Sequence, residues 1–169
     1  ERLDASGNVI QSLDLANFET TIKSIDYISV AVSLLHSYQN PEHEQEVVAQ
    51  LRTNGTKYIS ASSDLFPFSH YLRRTQTAVV NAYLDPVLDQ YLSNIKKALG
   101  NGSLQVMTST GSLSEVSGFR AKDSLLSGPA GGMVAATNFA GKLGFTKAIT
   151  FDMGGTSTDT ALIDGQPEL

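Results

Sequence analysis

The sequence predicts an α/β fold, a mixed sheet with crossover helices, and three observations carry that expectation. Strand-like and helix-like patterns alternate along most of the chain, as they do where helices cross over between strands. One helical stretch, residues 69–99, repeats apolar residues at steps of three and four. Near the end, two β-rich runs flank a Gly-Gly turn dense in hydroxyl and carboxylate side chains.

Taken in order, residues 2–4 and 8–12 flank Ser6-Gly7-Asn8 and predict a small hairpin or an extended entry. Leu15, Phe18, Ile22 and Ile25 are spaced for a helix, with Asp14 as its N-cap. Residues 26–32 (DYISVAV) are rich in β-branched side chains and read as a buried strand. Asn40-Pro41-Glu42 opens a second helix with a cap, a proline and first-turn acids. Asn54-Gly55 should stop it after Thr53, and residues 57–62 form the next strand. Pro86 should kink or restart the long helix, which Asn101-Gly102 ends. A short strand follows at 104–107, then a loop from Gly111, a helix over 130–143 closed by Gly144, and a strand at 147–152.

Composition narrows the function. The chain has 169 residues, 41% hydrophobic and 17% charged, enough for one ordinary core. It lacks cysteine, which removes disulfides, thiolate metal sites and a cysteine nucleophile from this stretch. A net charge of −5 argues against nucleic acid or an anionic membrane as the main partner. The apolar run at 27–35 is broken by serines and falls far short of the ~20 residues of a membrane span. Glu1 opens the chain with neither methionine nor a signal pattern, and little follows the last strand pattern. The expectation is a piece of a longer protein, cytoplasmic in location.

Residues 149–163 carry the most chemistry. An apolar strand ends in Asp152, followed by Gly154 and Gly155, the hydroxyl residues Thr156, Ser157 and Thr158, then Asp159 and a second strand. Paired glycines let a backbone turn tightly and approach an anion closely. Their amides and the three hydroxyls can donate to several phosphoryl oxygens at once. Asp152 is placed to hold a metal-bound water or orient an attacking group. A Walker loop needs a lysine and a following helix, and a Rossmann fingerprint also opens a helix. Residues 158–163 instead keep β character, which leaves a β-hairpin phosphate clamp. The plain alternative is an ordinary hairpin, but two aspartates and three hydroxyls gain little in a turn that only reverses direction.

Ser127-Gly128-Pro129-Ala130-Gly131-Gly132 runs into the helix that precedes this hairpin. Free amides and the helix dipole could receive an anion at Ser127, Gly128, Gly131 and Gly132. Equally, small residues could let the helix pack close to a strand.

These two segments together resemble the hydantoinase A / 5-oxoprolinase family, which includes acetone-carboxylase-type subunits. Similarity extends upstream through Ala31-Val32-Ser33-Leu34-Leu35, Ser37-Tyr38, Asn40-Pro41, His43-Glu44, Arg74-Thr75 and the run from Thr77 to Leu84. The resemblance implies an actin/Hsp70/sugar-kinase-like (ribonuclease H-like) ATPase fold, present in part. Residues 1–73 would be the end of the N-terminal region and 74–169 the start of the main domain, with the phosphate hairpin at 149–163. It implies ATP and Mg²⁺ as cofactors, a cyclic amide or ketone as substrate, and a B-type subunit or fused B domain as partner. Asp152 and Asp159 would serve catalysis, Asp152 reaching metal through water, while residues 154–158 cradle phosphate. A second Asp-Gly-Gly-Thr hairpin would lie before Glu1, so the isolated segment should be inactive. One departure stands out: many members carry Asn-Gly-Gly where this chain has Thr110-Gly111-Ser112, which bears on specificity if that loop meets substrate. A non-catalytic nucleotide-reading relative and a sugar or acetate kinase cousin are the competing readings.

Other candidates weigh less. His43 has Val47 four residues on, so there is no zinc-protease pair, and His36, His43 and His70 show no ligand spacing. Glu42, Glu44 and Glu46 read as an exposed first turn. Arg74 could contact an anion, although a surface or sheet-bridging role fits it better. Asn81, within an apolar helix, needs a partner if buried. Asn54-Gly-Thr56 and Asn101-Gly-Ser103 match the glycosylation pattern, without a secretion signal beside them.

Overall fold

The computed structural model describes residues 2–165, which fall into two compact units, Glu1–Tyr91 and Leu92–Leu169. The first opens with the expected hairpin, β1 (Arg2–Leu3) against β2 (Val9–Gln11). Asp4 builds its turn by accepting from the Ser6 and Asn8 amides, both at 2.9 Å. In α1 (Leu15–Ile22) the Asp14 carboxylate caps the Asn17 amide at 3.0 Å. The helix stops short of Ile25 because the Ser24 and Ile25 amides tighten onto the Thr21 and Ile22 carbonyls, a three-residue turn that exits the α ladder.

A parallel pair forms the centre of this unit. β3 (Ser29–Val32) lies beside β4 (Tyr58–Ala61), in register from Ser29↔Tyr58 to Val32↔Ala61. Parallel neighbours need a crossover, and α2 (Glu42–Thr53) supplies it. The Asn40 side chain accepts from the Glu42 amide at 3.0 Å, and Gly55 takes φ +87° to end the helix. Val32, Val47 and Leu51 make the core, with Phe18, Ile22, Tyr27, Val30 and Ile59 packed on it. The strand expected as buried over 26–32 is only partly so. It begins at Ser29, Ala31 is exposed, and Ile28 is 78% exposed, because β3 has one neighbouring strand among the described residues.

One further correction concerns architecture. The strands do not join in one mixed sheet: among the described residues they form four two-stranded sheets, and only β3–β4 is parallel. After the short α3 (Ser62–Leu65), α4 (Tyr71–Leu99) runs through Pro86 as one helix. The apolar stripe is only partly buried: Leu92 is enclosed and Leu84, Leu88 and Ile95 half-buried, but Val79, Val80, Tyr83, Val87 and Tyr91 are exposed while Arg74, Ala78, Asn81 and Ala82 are buried.

In the second unit, β5 (Gln105–Met107) pairs with β6 (Leu113–Glu115), a strand the periodicity did not reveal. Helix α5 (Ser127–Lys142) follows, then β7 (Lys147–Met153) and β8 (Thr158–Asp164), paired antiparallel. Helix α5 starts at Ser127 rather than at 130. Pro129 therefore stands third in the helix, where a missing N–H costs no ladder bond. Two adjacent glycines of α5 face different hairpins. A Cβ on Gly131 would lie 3.6 Å from Met107, and one on Gly132 would lie 3.8 Å from the Asp152 carboxylate. At the β5–β6 turn, Gly111 adopts φ +80° and presses so close to α5 that a Cβ would stand 2.8 Å from Val134. Among the described residues, no helix is long and apolar enough to cross a membrane.

Candidate functional site

The turn at 154–157 projects from the end of the β7–β8 hairpin, and all residues from 151 to 160 are exposed. It closes through the Gly154 amide, which donates to the Ser157 carbonyl at 2.9 Å. Neither glycine takes a left-handed φ, so their value lies in open space: a Cβ on Gly155 would meet nothing within 4 Å. Among the described residues, the hydroxyls of Thr156, Ser157 and Thr158 have no protein partner, nor do the amides of Gly155 and Thr156. An outward turn with uncommitted donors is a surface that an oxyanion can use.

Register places the two acids. Asp152 is paired with Asp159, one residue pair below the turn. Directly opposed residues in an antiparallel ladder point to the same face, with Cβ atoms ~5 Å apart. Like charges so placed destabilise the ladder, and no ion pair relieves either one among the described residues. Both carboxylates line a cleft of about 400 Å³ between α5 and the hairpin, with Pro129, Gly132, Met133, Ala136, Ala148, Thr150 and Ala161 among its walls. No group of three metal-ligating side chains exists among the described residues, so a cation here would hold two carboxylates and complete its shell with water or phosphate, as Mg²⁺ commonly does.

The Ser127–Gly132 segment meets this cleft from the helix side. Ser127 and Gly128 present the end amides of α5, while Gly131 and Gly132 fall in its second turn, where N–H groups belong to the helix ladder. Gly131 and Gly132 thus act as spacers that bring α5 against Met107 and Asp152.

Several candidates turn out to be structural. Glu44 and His43, expected on an exposed turn, are buried, Glu44 completely. Glu44 accepts from the Leu34 amide (2.7 Å) and from the hydroxyls of Ser37 (2.8 Å), Ser62 (2.7 Å) and Ser63 (2.7 Å), and from the Ser63 amide (2.9 Å). Burial pushes its pKa up, but the hydrogen bonds, led by Ser62, outweigh it and leave the carboxyl below its ordinary value. Arg74 is also fully buried. It donates to Ser62 Oγ (3.1 Å) and to the carbonyls of Phe68, Leu34 and Leu35, so the anion-contact alternative is displaced by a role joining loops. Asn81 donates to Ser60 Oγ at 2.9 Å. Helical spacing held the missing signal: Glu44 precedes Val47 by three residues and Leu51 by seven, and Arg74 precedes Ala78 by four.

The α/β segment with its exposed hairpin turn and facing acids gives the class only broadly, and similarity to known proteins makes it specific. Residues 74–169 match the hydantoinase/oxoprolinase model and residues 1–55 match the hydantoinase/oxoprolinase N-terminal region. The chain belongs to the hydantoinase/oxoprolinase family. It is 39% identical to the 5-oxoprolinase of Saccharomyces cerevisiae over 79% of its length and 11% of that protein's. It is 34% identical to the caprolactamase subunit alpha of Pseudomonas jessenii over 97% of its length and 25% of that subunit's. Among solved structures, it superposes on the ATP-dependent caprolactamase from Pseudomonas jessenii with a TM-score of 0.82 at 32% identity, over 95% of this chain and 25% of that one. Nucleotide-free acetone carboxylase gives 0.79 at 29% identity, over 97% of this chain and 25% of that one. The chain thus spans a quarter or less of the length of these relatives.

Proposed function

We propose that this segment is the phosphate-holding part of an ATP-dependent enzyme that activates a small cyclic amide for ring-opening hydrolysis. The observation that carries the reading is the exposed turn of Gly154, Gly155, Thr156, Ser157 and Thr158 above the facing pair Asp152 and Asp159. Its uncommitted donors would hold terminal phosphoryl oxygens, and the end amides of α5 at Ser127 and Gly128 would add positive potential beside the cleft. Two unrelieved carboxylates next to a polyphosphate are tolerable only with a cation between them, which fits Mg²⁺ held partly through water. Mg²⁺, when bound, would neutralise charge developing on the transferred phosphoryl group. Asp152 would orient the attacking group or a metal-bound water, and Asp159 would fix the hydroxyls around it.

The reading extends to the whole protein. Family membership and relatives named as ATP-dependent support ATP as the cofactor. We assign the segment to an actin-like fold, with residues 1–73 ending an N-terminal region and 74–169 opening the main domain. A B-type subunit or fused B domain would be the partner, in the cytoplasm. The likeness to acetone carboxylase favours ketone carboxylation as the second reading. In the full-length protein, Asp152→Asn should lower ring-dependent ATP hydrolysis by roughly 100-fold or more, with the circular dichroism spectrum unchanged. Turnover within a few-fold of the parent would remove Asp152 from catalysis.

A further inference from the structure

The turn between β5 and β6 is a second hydroxyl cluster, and the proposed phosphate site leaves it unused. Thr108, Thr110 and Ser112 stand in a triangle. Thr108 Oγ1 lies 2.8 Å from Thr110 Oγ1 and 2.9 Å from Ser112 Oγ, and those two are 3.0 Å apart. Thr108 also donates to the Ser112 carbonyl at 3.2 Å. Thr108 is buried, whereas Thr110 and Ser112 are exposed. Three hydroxyl protons serve four contacts, and a hydroxyl rotates to suit its partners. Either rim hydroxyl can therefore turn its proton toward a ligand oxygen while it still accepts from a neighbour.

The turn is also pinned. It closes through the Thr108 amide to the Ser112 carbonyl (2.8 Å) and the Gly111 amide to the Thr108 carbonyl (3.0 Å), and the Ser109 amide donates to the Asp123 carbonyl (2.8 Å). Gly111 sets it against α5 beside Ala130 and Val134. Those residues stand two before and two after Gly132, the residue that faces Asp152, so at about 100° per residue they lie on the opposite side of the helix. The two hydroxyl-rich turns thus straddle the first two turns of α5, a helix diameter of ~10–12 Å apart. A small ring and a phosphoryl group placed end to end fill such a gap.

We infer that Thr110 and Ser112 determine substrate specificity: their hydroxyls donate to an oxygen on the far side of the ring from the one that ATP activates. The inference rests on the enzyme reading above and deepens it. An oxygen undergoing activation must face the phosphate turn in line, so groups across α5 meet the other end of the molecule. A pinned turn has little freedom left to lose on binding, which favours its donors over mobile ones. The turn selects a ring with a second oxygen acceptor, a carbonyl or a carboxylate. A ring whose far side is hydrocarbon would desolvate the hydroxyls without pairing them.

The test uses the full-length enzyme with its partner and three probes: hydantoin, with a second carbonyl, 5-oxo-L-proline, with a carboxylate, and ε-caprolactam, with neither. Ring-dependent ATP hydrolysis should favour hydantoin or 5-oxo-L-proline over ε-caprolactam by roughly tenfold or more in kcat/KM. Which of the two leads identifies the oxygen. Thr110→Val and Ser112→Ala, both at exposed positions, should each raise KM for the favoured ring roughly tenfold, while KM for ATP and kcat/KM for ε-caprolactam stay within about twofold. Thr110→Ser, which keeps the hydroxyl, should hold KM within about threefold of the parent. A turn with only a structural role would not produce that split, so a loss shared by all three rings, or a KM for ATP that rises alongside, overturns the inference. A parent that prefers ε-caprolactam, a change under about threefold in both hydroxyl-free variants, or Thr110→Ser as impaired as Thr110→Val also overturns it, and the enzyme reading stands. ATP hydrolysis that no cyclic amide stimulates sinks the enzyme reading, and this inference with it.

Discussion

Glu44, in the first turn of α2, and Asp152, near the end of β7, are both carboxylates, and their surroundings are opposite. Glu44 is wholly buried, and its oxygens accept five hydrogen bonds from Leu34, Ser37, Ser62 and Ser63. Asp152 is exposed, faces Asp159 across the ladder and has no cationic partner among the described residues. A charge whose partners the chain supplies is part of the fold; on the function proposed above, one left opposite a like charge is where a ligand would bind.

The largest expected effect strikes the closed network. Arg74→Met should destabilise the chain by about 3 kcal/mol, because the buried Ser62 hydroxyl and the Leu34, Leu35 and Phe68 carbonyls lose their donor. Urea denaturation measures it, and a loss under about 1 kcal/mol would show that the network is incidental.

Acid provides a second probe of the same network. Glu44 has a folded pKa below its ordinary value of 4.5. Its contribution is therefore complete above pH 4.5 and is lost as the pH falls through the lower folded value. Unfolding monitored from pH 6 downward should show this fall, and Glu44→Gln should flatten it. An unaltered profile in the variant would assign the acid sensitivity elsewhere.

Smaller effects belong to the second unit. Gly111→Ala should cost about 1–2 kcal/mol from the positive φ alone, with more from the approach to Val134. The double variant with Val134→Ala should recover the steric part and not the backbone part, a separation that thermal melts can resolve. Asp159→Asn should change stability least, within about 0.5 kcal/mol and toward a gain, since it removes a like charge from the facing pair. A clear loss would mean that Asp159 already has a structural partner, and the contrast between the units would dissolve.

Local rules read well from the sequence wherever the causes were local. Asp14 caps the Asn17 amide, Gly55 and Gly144 take positive φ after their helices, and the 149–163 run folds as a hairpin; Asn40 takes the Glu42 amide, although Pro41 rather than Asn40 stands at the N-cap. The β6 strand escaped because three residues carry no period to detect. Glu44 was misjudged because charge was weighed before position; its spacing from Val47 and Leu51 had already put it on an inward face.

What the residues determined without help was punctuation: the cap at Asp14, the stops at Gly55 and Gly144, and the crowding of oxygen-rich side chains at one glycine turn. Those features follow from neighbours within a few positions, so they survive in any context. Only the tertiary structure decided that Asp152 and Asp159 face one another, that two adjacent glycines draw α5 onto separate hairpins, and that a cleft opens between them. Register and packing join residues far apart along the chain, and no local pattern encodes which of them will meet.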